Sequence, residues 1–390
     1  MKVAGLFAGI GGLEIGLSAS GHEASVLCEI FEPARAVLAA RFPGVPLERD
    51  VREMVTLPGD VELLVAGFPC QDLSQAGLTA GIGGARSGLV GEIFRLVDEH
   101  RTPWVVLENV SFMLHLDGGR AMATLVEAFE ERGYRWAYRV VSTLAFLPQR
   151  RERVLFVATT TGEDPADVVL VGDVSASSRE GSLDRLAHGF YWTEGVRGLG
   201  WATDAIPTLK NGSTIGIPSP PAILLPNGSV VTPDIRDAER LQGFPMDWTC
   251  PALTVARASS RWSLVGNAVS TPVATWLGEN LRSPGRYDDR RDCPLKLGGR
   301  WPRAARFYGY LRHAVDIGSF PVWRERAALD AFLVHPGKPL SARATAGFLS
   351  RAQRSTLRFV PGFQDRVRAH LDRVQDGLDP TPKVMAIAAE

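Results

Sequence analysis

The sequence predicts an α/β protein built on a doubly wound, mostly parallel sheet, with a small irregular β-rich region and a C-terminal extension added to it. Three observations carry that prediction. Short apolar runs at residues 2–7, 25–29, 61–66, 104–107 and 154–158 read as strands, and helix-like segments separate them through the first half of the chain. The first run passes through Gly9-Ile10-Gly11-Gly12 straight into a helical segment from Leu13 to Ala19, a strand, glycine turn and helix unit. Polar residues with chemical potential recur where the runs end, and in an open parallel sheet that edge is where ligands bind.

Bulk properties narrow the class. The chain has 390 residues, 45% hydrophobic and 22% charged, ordinary for a globular protein of two or three domains. There is no long uncharged apolar run, and a strand begins at Val3 without a signal-type segment before it, so neither export nor membrane spanning is expected and the cytoplasm is the default. Cys28, Cys70, Cys250 and Cys293 lie far apart with no CxxC pair, which argues against a metal site and a disulfide framework. The zero net charge hides an asymmetry. Residues 283–390 hold 19 Lys and Arg against 11 Asp and Glu, so an anionic partner for the tail competes with a merely solvated basic surface.

Taken in order, the elements place candidate residues at one sheet edge. The first turn lacks the dinucleotide pattern GxGxxG because Glu14 stands where the third glycine belongs, which disfavours pyrophosphate. The second strand ends in Glu29, about 20 residues after the first turn glycine, the place from which a carboxylate accepts both hydroxyls of a ribose. A nucleoside without a pyrophosphate fits best. The run 61–66 is stopped by Gly67 and Pro69, so Cys70 sits at a strand end with a polar, Gly-containing loop behind it. Its competing reading is an apolar filler, the commonest role of a free cysteine.

Residues 74–91 are too polar for core and too long for a minimal connection. A helix then begins near Ile93, and the strand at 104–107 ends in Glu108-Asn109-Val110. Gln149-Arg150-Arg151-Glu152-Arg153 leads into the next apolar strand. Beyond Thr159 the composition shifts to Ser, Gly and Thr with no helical period from 173 to 233. From Leu264 a helix is expected to run to about Leu281. In the tail, Phe363, Val367, Leu371 and Val374 at helical spacing predict an amphipathic helix.

Phe7-Ala8-Gly9-Ile10-Gly11-Gly12, Pro69-Cys70-Gln71, Glu108-Asn109-Val110, Gln149 through Arg153, Arg240 through Pro245 and Gly266-Asn267, in this order, resemble the motifs of the cytosine-C5 DNA methyltransferases of the bacterial modification type. The resemblance covers residues 1–282 and implies a Rossmann-like class I methyltransferase fold using S-adenosyl-L-methionine. It implies cofactor contacts from Phe7, Gly9, Gly11, Gly12, Leu13, Glu29, Asp50, Val51, Pro69, Asn267 and Val269. An aromatic often follows the ribose acid in that family; here Ile30 stands there, an apolar wall in its place.

Cytosine C5 is a poor nucleophile until something adds to C6, so the resemblance makes Cys70 the adding thiolate and Glu108 the group that gives a proton or hydrogen bond to N3. Arg151 and Arg153 are implied near cytosine O2 and Glu108, where guanidinium charge also favours the thiolate. The base that removes H5 is not identified. Gln71, Ser74, Arg86, Ser87, Gly88 and Gln149 are implied on the DNA side. The partner is duplex DNA, with a cognate restriction endonuclease or other defence component as a further possibility.

The implied division is 1–160 for the catalytic and cofactor core, 161–233 for target recognition, 234–282 for completion of the core and 283–390 for a basic extension. One departure is Asp237, where the family often carries Glu three residues before the Arg of its RLQGFP-like motif. Two other readings compete: an RNA (tRNA) cytosine methyltransferase on the same site, and a silent DNA-binding regulator. The recognition region of about 75 residues favours DNA, and Cys70, Glu108, Arg151, Arg153 and Asn267 are all present, against silence. The tail is expected to add phosphate contacts through its arginines, with Trp301, Phe307, Tyr308, Tyr310 and Trp323 packing.

Overall fold

The computed structural model describes residues 1–69, 88–177, 179, 181–212, 220–295 and 300–377. It resolves into two compact units. The first comprises 1–145, 152–176 and 269–323, and the second 146–151, 177–268 and 324–390.

In the first unit, β1 (Lys2–Leu6), α1 (Gly12–Ala19), β2 (Glu23–Cys28), α2 (Glu32–Arg41), β3 (Leu47–Glu48), β4 (Val61–Ala66) and β5 (Trp104–Val110) follow one another, with a helix at Leu89–His100 before β5. A helix at Arg120–Glu131 precedes β6 (Arg135–Ser142), and after β7 (Gln149–Arg150), which belongs to the second unit, comes β8 (Glu152–Thr159). The strands are short and wholly apolar at their centres because both sheet faces are covered. Strands β3, β2, β1, β4 and β5 pair in parallel, and β8 and β6 continue the sheet antiparallel. The predicted doubly wound sheet is therefore present, with a parallel core.

Register positions the chemistry. Leu6 pairs with Cys28 on one side and Ala66 on the other, and Ala66 pairs with Leu107. The residues that follow, Phe7, Glu29, Gly67 and Glu108, thus leave the sheet in one rank at its carboxyl edge. The order β2-β1-β4 also reverses winding at β1, the switch point where such sheets open a crevice.

In the second unit, β9 (His188–Phe190), β10 (Trp201–Thr203), β12 (Ala222–Leu224) and β13 (Val230–Thr232) form an antiparallel sheet, while β11 (Ile206–Pro207) pairs with β7. The irregular β-rich character read from the sequence is seen here, but the sheet is finished by the tail.

Three expectations are corrected. Residues 283–390 are not an appendage: β14 (Asp292–Pro294), β15 (Ala304–Phe307) and β16 (Arg312–Val315) extend the first sheet to ten strands, and β17 (Lys338–Pro339) completes the five-stranded second sheet. Helices Ala342–Arg354 and Phe363–Gln375 close its core through Phe348, Phe363 and Val367 against Phe190. The division at 161, 234 and 283 accordingly gives way to one in which 161–176 and 269–323 join the first unit and 234–268 joins the second.

At least six of the tail's sixteen arginines pair with acids of the unit they belong to. Arg291 meets Asp173, Arg303 meets Glu152, Arg306 meets Asp164 and Asp292, and Arg312 meets Glu130 in the first unit. Arg326 meets Asp204 and Arg366 meets Asp184 in the second. Trp301 and Phe307 pack on Trp136 as expected of core aromatics. Tyr310, by contrast, stands exposed at the tip between β15 and β16.

The single helix expected from Leu264 to Leu281 is two, Ser260–Asn267 and Thr271–Arg282. Ala268 and Ser270 are extended, and Pro272 in the first turn of the second helix has no N–H to continue the first.

Candidate active site

The turn after β1 is built by left-handed backbone. Gly9 and Gly11 have φ of 57° and 82°, and Phe7 has φ of 53°, a conformation that a bulky residue holds only where the surroundings impose it. Gly12 cannot carry a side chain because a Cβ would come 2.5 Å from the Val269 carbonyl oxygen. Among the described residues a Cβ on Gly9 would meet nothing within 4 Å, so toward them the turn presents bare backbone.

Glu29 stands beside that turn. Its Oε2 accepts from the Gly9 N–H and its Oε1 from the Phe31 N–H, both at 2.8 Å. Ile30 and Phe31 are 57% and 47% exposed, an apolar pair next to the acid. The aromatic ring missing from position 30 follows at Phe31, which the sequence reading overlooked. On the other flank Asp50 accepts from the Arg52 guanidinium and backbone N–H, which hold its carboxyl below the usual range, while Val51 is buried. Leu13 is buried on α1, Val269 half-buried, Pro69 and Asn267 exposed; Asn267 belongs to the second unit and Val269 to the first. The bare turn, the free lone pairs of a strand-end carboxylate and the apolar pair fit a ribonucleoside with an amino-acid tail.

The second cluster lies at the ends of β4 and β5. Glu108 is 7% exposed, and Arg153 Nε stands 3.0 Å from its Oε1. A Cβ on Gly67 would lie 3.6 Å from Glu108 Oε2, so the carboxyl faces the backbone three residues before Cys70. Asn109 Nδ2 donates to the Phe68 carbonyl at 3.0 Å, and Asn109 Oδ1 accepts from the Val110 N–H. Asn109 thereby fixes the chain just after β4, two residues before Cys70 in the sequence. Its adjacency to Glu108 is the only signal the sequence offered for it.

Cys70, Gln71, Ser74, Arg86 and Ser87 lie outside the described residues. Gly88 caps the helix Leu89–His100. Burial pushes the Cys28 thiol up to about 12 and raises that of Cys250, which disfavours the thiolate at both.

Two assignments change. Gln149, expected on the DNA side, is fully buried: its Nε2 donates to the Leu241 carbonyl and its Oε1 accepts from the Leu209 N–H. Arg151, expected at the cytosine, is 2% exposed and donates to the carbonyls of Leu209, Gly266 and Ala268. Both brace the second unit, since buried amide and guanidinium groups must find acceptors there. The Asp237 departure is absorbed, because the carboxyl is buried and accepts from Arg240 Nη1 and from the N–H groups of Val334 and His335.

Residues 1–176 match the sequence model of the C-5 cytosine-specific DNA methylases. The chain is 48% identical over 391 residues to the type II methyltransferase M2.BsuMI of Bacillus subtilis, covering 96% of this chain and 98% of that protein. It is 29% identical over 315 residues to the type II methyltransferase M.SsoII of Shigella sonnei, covering 71% and 79%. The crystal structure of S. pombe Dnmt2 methyltransferase shares the fold, with a TM-score of 0.52 at 15% identity over 72% of this chain and 98% of that one.

Proposed function

The chain belongs to the C-5 cytosine-specific DNA methylase family, a DNA (cytosine-5-)-methyltransferase, and from that premise we propose how its own residues carry the reaction. S-adenosylmethionine, the family's methyl donor, supplies an electrophilic methyl group when bound. The turn 7–12 takes its amino-acid end, Glu29 accepts the ribose hydroxyls, and Ile30, Phe31, Asp50 and Val51 flank the adenine. The bare backbone at Gly9 and the two-oxygen anchoring of Glu29 support this.

Cys70 adds to C6 of the target cytosine as a thiolate. The electron pair displaced toward N3 is received by a proton or hydrogen bond from Glu108, which leaves C5 with enamine character and able to take the methyl. Loss of H5 to a base then expels Cys70 and restores the ring. Arg153 keeps Glu108 aimed, and Asn109 holds Phe68, two residues before Cys70 in the chain. C5 and C6 are stacked inside a duplex, so the base is rotated out to meet the thiol, the general rule for enzymes that modify bases.

The second unit reads the target sequence. The relatives are named type II methyltransferases, which supports modification paired with a cognate restriction endonuclease as the biological role. Among the described residues no helix is long and apolar enough to cross a membrane.

The observation that carries this reading is the common rank of Phe7, Glu29, Gly67 and Glu108 at the sheet edge. Bisulfite or nanopore sequencing of DNA from a host expressing the protein tests it. Methylated cytosines confined to one sequence context are expected. Unmodified host DNA together with methylated tRNA would overturn it.

A further inference from the structure

The arginines of the helix Ala342–Arg354 and of the chain just after it have no task in the account above. Residues 341–358 hold four arginines, Arg343, Arg351, Arg354 and Arg358, and no Asp or Glu. Elsewhere in the tail Arg306, Arg326 and Arg366 each meet an acid of their own unit. Among the described residues no acid pairs with any of these four.

The helix has two distinct sides. Thr345, Phe348, Leu349 and Ala352 are buried, and Phe348 packs on Phe190 of β9, so this side covers the second unit's sheet. At 3.6 residues per turn Arg343, Ser350 and Arg354 fall together on the opposite side, and all three are exposed. Arg343 and Arg354 stand about 16 Å apart along the axis, with only the short side chain of Ser350 on the line between them. Arg351 folds back over Gly347 and donates to the Trp192 carbonyl, and Trp201 Nε1 donates to the Arg358 carbonyl at 3.0 Å. These bonds hold both ends of the loop 192–201 against the helix and its continuation, and the loop carries the exposed Arg197. Glu194, the one acid of the loop, is taken by Lys210 at 3.0 Å.

Helix stability accounts for only part of this. Arg354 lies in the last turn, where the helix dipole favours a cation, but Arg343 lies in the first turn and opposes it. A merely solvated face mixes both signs of charge, whereas this one carries a single sign.

We propose that this face, Arg343, Arg354 and Arg358 with Arg197 beside them, docks the sugar-phosphate backbone of the duplex DNA substrate. A guanidinium pairs with phosphate oxygens through two parallel N–H donors. Duplex DNA presents one negative charge per about 1.7 Å of its axis, so a span of about 16 Å meets phosphate at both ends. Such contacts orient the duplex and carry no sequence information. The proposal rests on the reading that the second unit meets DNA.

The test is binding of the full chain to duplex DNA, followed by fluorescence anisotropy from about 50 to 200 mM salt. One duplex contains the methylated sequence and a second lacks it. Arg343→Gln combined with Arg354→Gln should flatten the log–log salt slope by about 1.8, because each phosphate contact contributes about 0.9. Over that range the wild-type chain should lose about 12-fold more affinity than the variant. Both duplexes should be affected alike, with the melting midpoint and S-adenosylmethionine affinity unchanged. Lys at both positions keeps the charge and should restore most of the slope. Arg358→Gln, outside the helix, should flatten the slope by about 0.9 and decides the matter if the double variant melts lower. Unchanged slopes in both variants would overturn the proposal, even if tRNA binding fell. A loss confined to the methylated sequence would overturn it too, by making the face a reader of bases. Failure of the wild-type chain to bind either duplex at low salt would instead sink the DNA reading on which the proposal rests.

Discussion

Arg153 Nε stands 3.0 Å from Glu108 Oε1 across the antiparallel pair β5 and β8, where Glu108 pairs with Leu155 and Val110 with Arg153. The two side chains are diagonal neighbours on one sheet face, so the ion pair is fixed by strand register. If Glu108 serves cytosine N3, Glu108→Gln should slow single-turnover methyl transfer by about 10²- to 10⁴-fold, the range for a lost general acid, while DNA binding persists. Arg153→Ala should cost about 100-fold through a misaimed carboxyl, with cofactor affinity unchanged. Rapid-quench rates check both, and undiminished rates would make the pair purely structural.

The tail carries a second prediction. Arg306 joins Asp164 and Asp292, and all three are mostly buried. Arg306→Ala leaves two carboxylates without their counter-charge and should cost about 3 kcal/mol, typical of a broken buried pair, seen as a lower denaturation midpoint. Deleting residues 283–390 removes strands from both sheets and should yield insoluble protein. A soluble truncated enzyme with unchanged melting would return the tail to an appendage.

Much of this was legible in the sequence because the strand ends carry their chemistry in contiguous letters. Phe7, Glu29 and Glu108 each follow an apolar run, and parallel register then aligns them without further information. The tail was misread because composition counts arginines without showing their partners. Arg303 meets Glu152 and Arg312 meets Glu130, acids more than 150 positions away in the chain. Gln149 and Arg151 were misread for a related reason. Their motif is local, but the carbonyls that claim them, those of Leu241, Gly266 and Ala268, come from helix ends 92 to 117 positions away.

Glu14 gives a third prediction, independent of any ligand. Burial in the first turn of α1 raises its carboxyl in the folded protein from an ordinary value of 4.5 to about 7. The stability it allows is present below pH 4.5 and is lost as pH rises toward and through 7, because the unfolded chain ionises first. Glu14→Gln should therefore be more stable than the wild type at pH 8, by up to about 3 kcal/mol, with the advantage vanishing near pH 4.5. Melting curves of both proteins across that range check the sign. A variant less stable at pH 8 would show that the buried carboxyl is ionised and partnered.

The central claim is covalent catalysis by Cys70, and trapping tests it most directly. Duplex DNA carrying 5-fluorocytosine at the target position cannot lose fluorine as a cation, so a thiol that has added to C6 stays attached. With S-adenosylmethionine present, the wild-type chain should form a stable protein–DNA adduct whose peptide map places the link on Cys70. Cys70→Ser should form none and still bind the cofactor. A link on another residue, or repeated methyl transfer by Cys70→Ser, would contradict the account.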